Sequence, residues 1–220
     1  MMRKFKAAIF DMDGTLLDTM YIWRHLAPEY LKHNNIAVPE NLTDQLAIMG
    51  IGRAVEFLIT NFHLKISPEQ LYQEIIDILA DYYRHHAVFK PGAEKFLQAM
   101  NERNIPTMVF SATPEHLLAL ALNRLDAMKY FSRGILSVKT INIAKNQPEA
   151  FYTAAQHIGF PVEDVMIFED ALYAASTVKK AGFALTVVAD NEEHHIQEMR
   201  ELADFYIEKS FDEFPIDRFF

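Results

Sequence analysis

Cysteine is absent from the 220 residues of this chain. Its absence excludes a disulfide framework, thiolate metal sites and a cysteine nucleophile. A chain without cysteine suits a reducing compartment, and any chemistry it carries must rest on other side chains.

Basic residues are also few. The 21 Lys and Arg residues stand against 30 Asp and Glu residues, which gives a net charge of -9. This balance argues against a nucleic-acid-binding surface, which needs clustered Lys and Arg. A phosphate ester would not be attracted by the overall charge. An anion site must therefore be built locally from a metal, a lysine and backbone amides.

Long apolar runs are missing as well. The segment 1–6 carries charges but no long apolar region, so we expect no signal peptide and no membrane-spanning helix. We expect a cytoplasmic protein. Half of the residues are apolar and 23% are charged, which is typical of a soluble globular chain. The length suits one large domain, or a core with a small second domain.

The order of apolar segments predicts an α/β fold. The run Ala7–Phe10 reads as a strand that is buried on both faces, as in a parallel sheet. From residue 18 to 86 the apolar spacing is helical, with no convincing strand. After Pro91-Gly92, strands and helices alternate, which predicts a doubly wound parallel sheet. We expect an α/β core over residues 1–17 and 88–220, and an inserted all-helical cap domain over residues 18–87.

Three polar segments are predicted to cap helices. Ser67 to Gln70 and Asn146 to Glu149 both have the capping-box pattern, with Pro inside each. Residues 190–193 are a third candidate for a helix cap.

Polar residues follow the predicted strands at the points where the strands end. Asp11, Ser111 and Asp170 stand there, and Lys145 stands at a helix start. Parallel sheets bind ligands beyond the carboxyl ends of their strands. Four separate segments are thus expected to bring reactive side chains to one edge of the sheet.

These residues, in this order, resemble the haloacid dehalogenase superfamily over essentially the whole chain. The helical insert is similar to the small cap of the phosphoglycolate phosphatase and β-phosphoglucomutase branch, whose core is Rossmann-like. The resemblance implies a Mg²⁺-dependent phosphatase that hydrolyses a small phosphorylated metabolite through an aspartyl-phosphate intermediate. The matching motifs are Asp11–Thr15, Ser111, Lys145 with Pro148, and Glu169-Asp170 with Ala181-Gly182.

The resemblance assigns the first motif to catalysis. Asp11 would attack the phosphorus with one oxygen and hold Mg²⁺ with the other. Asp13 would protonate the leaving oxygen and then activate water, and its backbone carbonyl would be a metal ligand. The alternatives are a turn aspartate or a calcium loop. A calcium loop needs Gly at its sixth position, whereas Gly14 stands at the fourth.

The second and third motifs are expected to bind the phosphoryl group. Ser111 would donate a hydrogen bond, aided by the amide of Ala112, and Lys145 would neutralise the phosphate and Asp11. The alternatives are a polar strand end for Ser111 and a solvated lysine for Lys145. The family usually has Pro directly after this Lys, where this chain has Asn146.

The fourth motif is expected to hold the metal. Asp170 would bind it directly or through water, and Glu169 is a possible second contact. The alternative is that both residues cap the helix that follows. The family commonly has Ser and Gly where this chain has Ala171 and Ala174.

The cap is expected to select the substrate. Residues 49–53 resemble the loop that closes over the substrate, and Arg53 would contact a substrate anion or lie in solvent. Trp23 would line the pocket or belong to the cap core. His85 and His86 are adjacent on a helix and point apart, so we interpret them as solvated residues and not as metal ligands.

A hydrolase is favoured over a mutase. The mutase branch carries a His in the first cap helix and a Lys before the Gly of the cap loop, and the matching positions here hold Trp23 and Met49. A sugar-phosphate mutase remains the alternative. A phosphate-binding regulatory protein without turnover is a third hypothesis, supported only by Ala171 and Ala174. We expect a monomer or weak dimer.

Overall fold

A parallel sheet of six strands forms the centre of the computed structural model, which describes residues 4–47 and 49–220. The strand order is β3-β2-β1-β4-β5-β6, and every neighbouring pair is parallel. The prediction of a doubly wound parallel sheet is confirmed. The strands are β1 Ala7–Phe10, β2 Thr107–Ser111, β3 Ile135–Ser137, β4 Val165–Glu169, β5 Ala184–Val188 and β6 Phe205–Ile207.

The sheet is covered on both faces. Along β1, Ala8 and Phe10 belong to one buried hydrophobic cluster, whereas Ala7 and Ile9 belong to the other. Successive side chains of a strand point to opposite faces, so a strand covered on both faces must be apolar throughout. Phe10 stacks on Phe168 of β4, with ring centroids 4.4 Å apart.

Helices fill the chain between β1 and the next strand. No strand lies in the described part of residues 18–87. The first four helices of the chain are α1 Met20–His33, α2 Leu42–Ala47, α3 Ile51–Phe62 and α4 Pro68–His85.

The predicted capping box at Ser67 opens α4. The Gln70 amide donates to Ser67 Oγ at 3.2 Å, and the Ser67 amide donates to Gln70 Oε1 at 3.2 Å. The helix then buries Leu71 and Leu79, which join the same hydrophobic cluster as Phe10. The helical segment is thus packed continuously with one face of the sheet. Its status as a separate cap domain stays a prediction.

The helices that follow flank the sheet. They are α5 Ala93–Glu102, α6 Glu115–Arg124, α7 Val138–Ile141, α8 Pro148–Ile158, α9 Leu172–Lys180, α10 Ile196–Leu202 and α11 Ile216–Phe219.

Two of the predicted helix caps are wrong. The helix α8 begins at Pro148, so its N-cap is Gln147, which makes no side-chain cap hydrogen bond. Proline at the first helical position fixes that start. Asn146 is then one residue too early, and the N3 position falls on Ala150. The segment 190–193 does not cap α10 either, because that helix begins at Ile196 after His195.

The sheet places a crevice between its two central strands. The strand order reverses between β1 and β4, and ligands of such sheets bind beyond the strand ends at this switch point. Asp11 follows β1 directly, and Glu169 ends β4. Among the described residues, no helix is both long and apolar enough to cross a membrane.

Candidate active site

Asp11 and Lys145 form an ion pair at the end of β1. Lys145 Nζ lies 2.8 Å from Asp11 Oδ1, and the lysine side chain is 3% exposed. Burial alone would lower the pKa of Lys145, but the carboxylates of Asp11 and Glu169 raise it well above its usual value. The lysine is therefore held as a cation. Asp11 Oδ1 is buried and has no hydrogen bond of acceptable geometry, so this oxygen relies on a charge contact only.

Glu169 is the second carboxylate that contacts Lys145. Its Oε1 accepts from Lys145 Nζ at 2.6 Å, and its Oε2 accepts from the amides of Asp170 and Ala171 at 2.9 Å and 3.2 Å. The side chain thus stabilises the start of α9 and fixes the lysine. Both of its oxygens are already engaged by this chain.

Asp170 contacts the first motif, Asp11–Thr15. Its Oδ1 accepts from Thr15 Oγ1 at 2.7 Å. Gly14 makes this approach possible: it has φ +80°, and a Cβ atom there would lie 2.1 Å from Asp170 Oδ2. Burial, followed by the charges of Glu169 and Asp11, raises the pKa of Asp170 well above its usual value.

Asp11, Glu169 and Asp170 make up one acidic cluster. Each of the three residues has one carboxylate oxygen that lies within 4.8 Å of the chosen oxygens of the other two. Burial and mutual repulsion also raise the pKa of Glu169, although Lys145 opposes this. Crowded carboxylates with an unsatisfied oxygen are the environment that a hard divalent cation would relieve. The donor set therefore fits a metal ion, and Asp11 and Asp170 fit it better than Glu169.

Asp13 is held by three hydroxyl groups. Its Oδ1 accepts from Thr19 Oγ1 at 2.7 Å and from the Tyr83 hydroxyl, and its Oδ2 accepts from Thr113 Oγ1 at 2.6 Å. The side chain is buried. Burial, and next the charge of Asp11, raise the pKa of Asp13, while the three hydroxyls lower it in part.

Tyr83 connects the helical segment to this carboxylate. It belongs to α4 and is fully buried. Its hydroxyl oxygen accepts a hydrogen bond from Trp23 Nε1 at 3.1 Å, and its hydroxyl donates a hydrogen bond to Asp13. A chain of hydrogen bonds therefore runs from α1 through α4 to the end of β1.

Ser111 and Ala112 lie beside the carboxylates. Ser111 ends β2 and is buried. Its Oγ accepts from the Thr113 amide at 3.2 Å, and an accepting hydroxyl still has its own proton to donate. Both residues line the same cavity as Asp11, Asp13 and Asp170.

The cavity extends from these carboxylates into the helical segment. Its volume is about 230 Å³. Trp23 and Met49 line it, together with Leu58 of α3 and Ile75 of α4. Trp23 thus lies in the wall of the cavity and also packs against the hydrophobic cluster. Its contact with a substrate stays a prediction.

The structure does not bring Arg53 to the other predicted site residues. Arg53 is exposed in the first turn of α3, and it is absent from the described lining of the cavity. Another arginine, Arg24 of α1, lines the cavity instead. His85 and His86 are exposed, and His85 lies 3.7 Å from Asp81 on the same helix.

Several residues of the site were not identified from the sequence. They are Thr19, Tyr83 and Thr113 around Asp13, and Lys90 with Asp190. Lys90 Nζ lies 2.7 Å from Asp190 Oδ2, and both side chains are buried. Thr19 and Thr113 lie within a few residues of recognised motifs, and this proximity was the available signal. Nothing in the local pattern marked Tyr83 or Lys90.

The arrangement defines a class of protein. A carboxylate paired with a buried lysine, a second carboxylate two residues on, and an acidic cluster meet at the switch point of a parallel sheet. The model of the haloacid dehalogenase-like hydrolase family matches residues 5–182. The chain belongs to this family, and the predicted family is confirmed.

Curated relatives of this chain include proteins named as phosphatases. A probable pseudouridine-5'-phosphatase of Drosophila melanogaster is 24% identical over 215 residues, which cover 93% of each chain. A phosphorylated carbohydrates phosphatase of Thermotoga maritima is 27% identical over 190 residues, which cover 80% of this chain and 82% of the relative. These names agree with the predicted phosphoric monoester hydrolase.

Solved structures share the fold. A β-phosphoglucomutase from Clostridium difficile superposes with a TM-score of 0.77 at 19% identity, covering 96% of this chain and 94% of the other. A predicted phosphoglycolate phosphatase from Haemophilus somnus gives a TM-score of 0.74 at 18% identity, with coverage of 94% and 96%. At these identities the likeness shows the fold alone.

Proposed function

We propose that this protein is a Mg²⁺-dependent phosphatase that hydrolyses a small phosphorylated metabolite through a phosphoryl-Asp11 intermediate. The observation that carries the proposal is the contact of Lys145 with Asp11, at 2.8 Å, beside the cavity into which Asp13 also faces. Asp11 and Asp13 line this cavity, and Lys145 contacts Asp11 without being part of the described lining.

Asp11 is the proposed nucleophile. A carboxylate that attacks the phosphorus forms an acyl phosphate and releases the alcohol. The cost of bringing two anions together is reduced by a nearby fixed cation. Lys145 is that cation, because it lies 2.8 Å from Asp11 and is held in place by Glu169 at 2.6 Å.

Asp13 is the proposed acid–base. It protonates the alcohol oxygen as the ester bond breaks, and it then takes a proton from the water that attacks the acyl phosphate. Such a positioned group typically contributes roughly 100–10,000-fold to the rate. The hydroxyls of Thr19, Tyr83 and Thr113 hold the carboxylate in one orientation.

Ser111 and Ala112 are the proposed anion contacts. The Ser111 hydroxyl and the Ala112 amide donate to phosphoryl oxygens, from the end of β2. Charge neutralisation and positioning account for most of the catalysis of phosphoryl transfer, so these donors complement Lys145.

Asp11 and Asp170 are the proposed side-chain ligands of Mg²⁺, with the backbone carbonyl of Asp13 and a possible contact from Glu169. When bound, the ion would supply positive charge that reduces the repulsion of the phosphate by Asp11. The fit rests on the acidic cluster and the unsatisfied Asp11 Oδ1.

Residues 18–87 are proposed to act as a cap that selects the substrate. Trp23 and Leu58 of this segment line the cavity, which supports that role. Arg53 stays a prediction, since it lies exposed outside the lining. A cytoplasmic location and a monomer or weak dimer also remain predictions from the sequence.

The mutase alternative has the same fold as this chain, since solved neighbours titled β-phosphoglucomutase share it, and the fold does not distinguish the two activities. Trp23 and Met49 weigh against it. Both line the cavity at the positions where the mutase branch carries His and Lys. A phosphorylated sugar that is isomerised without release of inorganic phosphate would establish the mutase.

The test is the hydrolysis of phenyl phosphate by the whole chain with and without Mg²⁺. We expect activity that needs the metal and is lost in Asp11→Asn. Asp18→Asn is the matched control, because it makes the same change at an exposed aspartate close by in the chain. Full activity of Asp11→Asn would remove Asp11 as the nucleophile. A wild-type protein that binds Mg²⁺ and phosphate analogues but hydrolyses no ester of a broad panel would favour the regulatory alternative.

A further inference from the structure

The part of the cavity that lies away from the carboxylates is apolar. Its wall there consists mainly of aliphatic, methionine and aromatic side chains from α1, α3 and α4, and from the segment that leads into α3. They include Trp23, Leu26, Ala54, Leu58 and Ile75. This wall faces whatever group is attached to the phosphate.

The polar groups of this wall are largely engaged by the protein itself. Trp23 Nε1 donates to Tyr83. Asp190 is paired with Lys90 at 2.7 Å. Glu193 accepts from the backbone and ring nitrogens of His195, both at 2.8 Å. These side chains therefore have little capacity left for the hydroxyl groups of a ligand.

Apart from Tyr173, whose hydroxyl makes no hydrogen bond among the described residues, Arg24 is the exception in the lining. Its Nε is buried without a hydrogen-bond partner, and the carboxylates of Asp44 and Glu192 lie 3.7 Å and 3.8 Å from its guanidinium group. These two acids already balance its charge. The arginine can therefore donate to acceptor atoms of a ligand, but a guanidinium group has no acceptor for the hydroxyl protons of a polyol.

We propose that the alcohol part of the substrate is a predominantly apolar, ring-sized group, and that this wall selects it over a polyhydroxylated sugar. The inference rests on the proposed phosphatase function and goes further by naming the substrate class. Hydroxyl groups buried without partners weaken binding, whereas methylene groups buried against an apolar wall strengthen it.

The test compares two primary alkyl phosphates with a six-membered ring. They are cyclohexylmethyl phosphate and the phosphate ester of the primary hydroxyl of glucose. Both esters release a primary alcohol, so a difference in kcat/KM reports on the fit of the ring in the cavity and not on the type of leaving group. Acetyl phosphate, which has no ring, serves as the measure of turnover.

We expect cyclohexylmethyl phosphate to be preferred by about tenfold or more in kcat/KM, the factor that one unpaired buried hydroxyl would cost. Hydrolysis of acetyl phosphate together with equal or better turnover of the glucose ester would overturn the inference and leave the phosphatase intact. If none of the three compounds is hydrolysed, the proposed function fails. Calorimetric binding of the two esters then decides the inference, and equal or tighter binding of the glucose ester overturns it.

A pair of variants on α3 tests whether the wall is responsible. Ala54→Phe places a ring in the cavity and is expected to reduce the preference for cyclohexylmethyl phosphate by about tenfold. Glu56→Phe adds the same ring at an exposed position of the same helix, and we expect it to leave the preference unchanged. An unchanged preference in Ala54→Phe, with the fold intact by circular dichroism, would contradict the assignment of this wall.

Discussion

Replacing Tyr83 with Phe removes one hydroxyl and keeps the ring. The ring is fully buried, so its packing is retained. The hydroxyl donates to Asp13 and accepts from Trp23 Nε1, and the variant loses both bonds. A hydrogen bond to a charged group contributes roughly 1.5–3 kcal/mol. We expect the free energy of unfolding of Tyr83→Phe to fall by about this amount.

The same change is expected to slow turnover. Asp13 keeps the hydrogen bonds from Thr19 and Thr113, so the carboxylate remains in the site with one donor fewer. We expect kcat for phenyl phosphate to fall by about tenfold, a part of what a positioned acid–base contributes. Urea unfolding followed by fluorescence measures the stability, and steady-state assays measure the rate.

Tyr82→Phe is the matched control for this prediction. Tyr82 is the neighbouring residue of α4 and is partly exposed, and no hydrogen bond from its hydroxyl is found among the described residues. We expect its unfolding free energy to change by less than about 0.5 kcal/mol. If Tyr83→Phe matched Tyr82→Phe in both stability and kcat, the link between α4 and Asp13 would be refuted.

Two further changes test the frame of the site. Gly14→Ala would place a Cβ 2.1 Å from Asp170 Oδ2 at a residue with φ +80°. We therefore expect weaker Mg²⁺ binding by calorimetry and a kcat reduced by about a hundredfold or more. Unchanged Mg²⁺ binding would contradict this prediction. Lys90→Met leaves Asp190 buried without its 2.7 Å partner, and we expect a loss of about 3–5 kcal/mol in urea unfolding. Adding Asp190→Asn should recover part of that loss, and no recovery would show that the pair is not the cause.

The sheet could be predicted because its strands are recognisable from local sequence. Ala7–Phe10 is a short apolar run that is followed by Asp11, and Val165–Glu169 is an apolar run that ends in Glu169. Burial on both faces demands such apolar runs. The motif residues then follow, since parallel strands bring their carboxyl ends to one edge. The structure places Asp11, Asp13, Ser111 and Asp170 around one cavity there.

The surroundings of Asp13 could not be predicted in the same way. Tyr83 and Thr113 reach it from 70 and 100 residues further along the chain. Helical periodicity predicts that one face of α4 is buried, but not which atom the hydroxyl of Tyr83 contacts. That contact depends on how α4 is oriented on the sheet, which is a property of the packed molecule.

The choice between Arg24 and Arg53 has the same origin. Both arginines lie in the helical segment, and local sequence favoured Arg53 because it stands beside glycines that resemble a closing loop. In the structure, residues 51–53 form the first turn of α3, and Arg53 is exposed there. Arg24 lines the cavity. The helix start at Ile51 places Arg53 in an exposed turn outside the described lining of the cavity.

The central claim is that Asp11 becomes phosphorylated during turnover. Borohydride reduces an acyl phosphate to an alcohol, so an aspartyl phosphate trapped during turnover of phenyl phosphate with Mg²⁺ is converted to homoserine. Peptide mapping by mass spectrometry then locates the reduced residue. We predict homoserine at position 11 in the turning-over enzyme and none in enzyme without substrate. Active enzyme that retains Asp at position 11 after trapping, or that carries homoserine at another carboxylate, would contradict the assignment of Asp11 as the nucleophile.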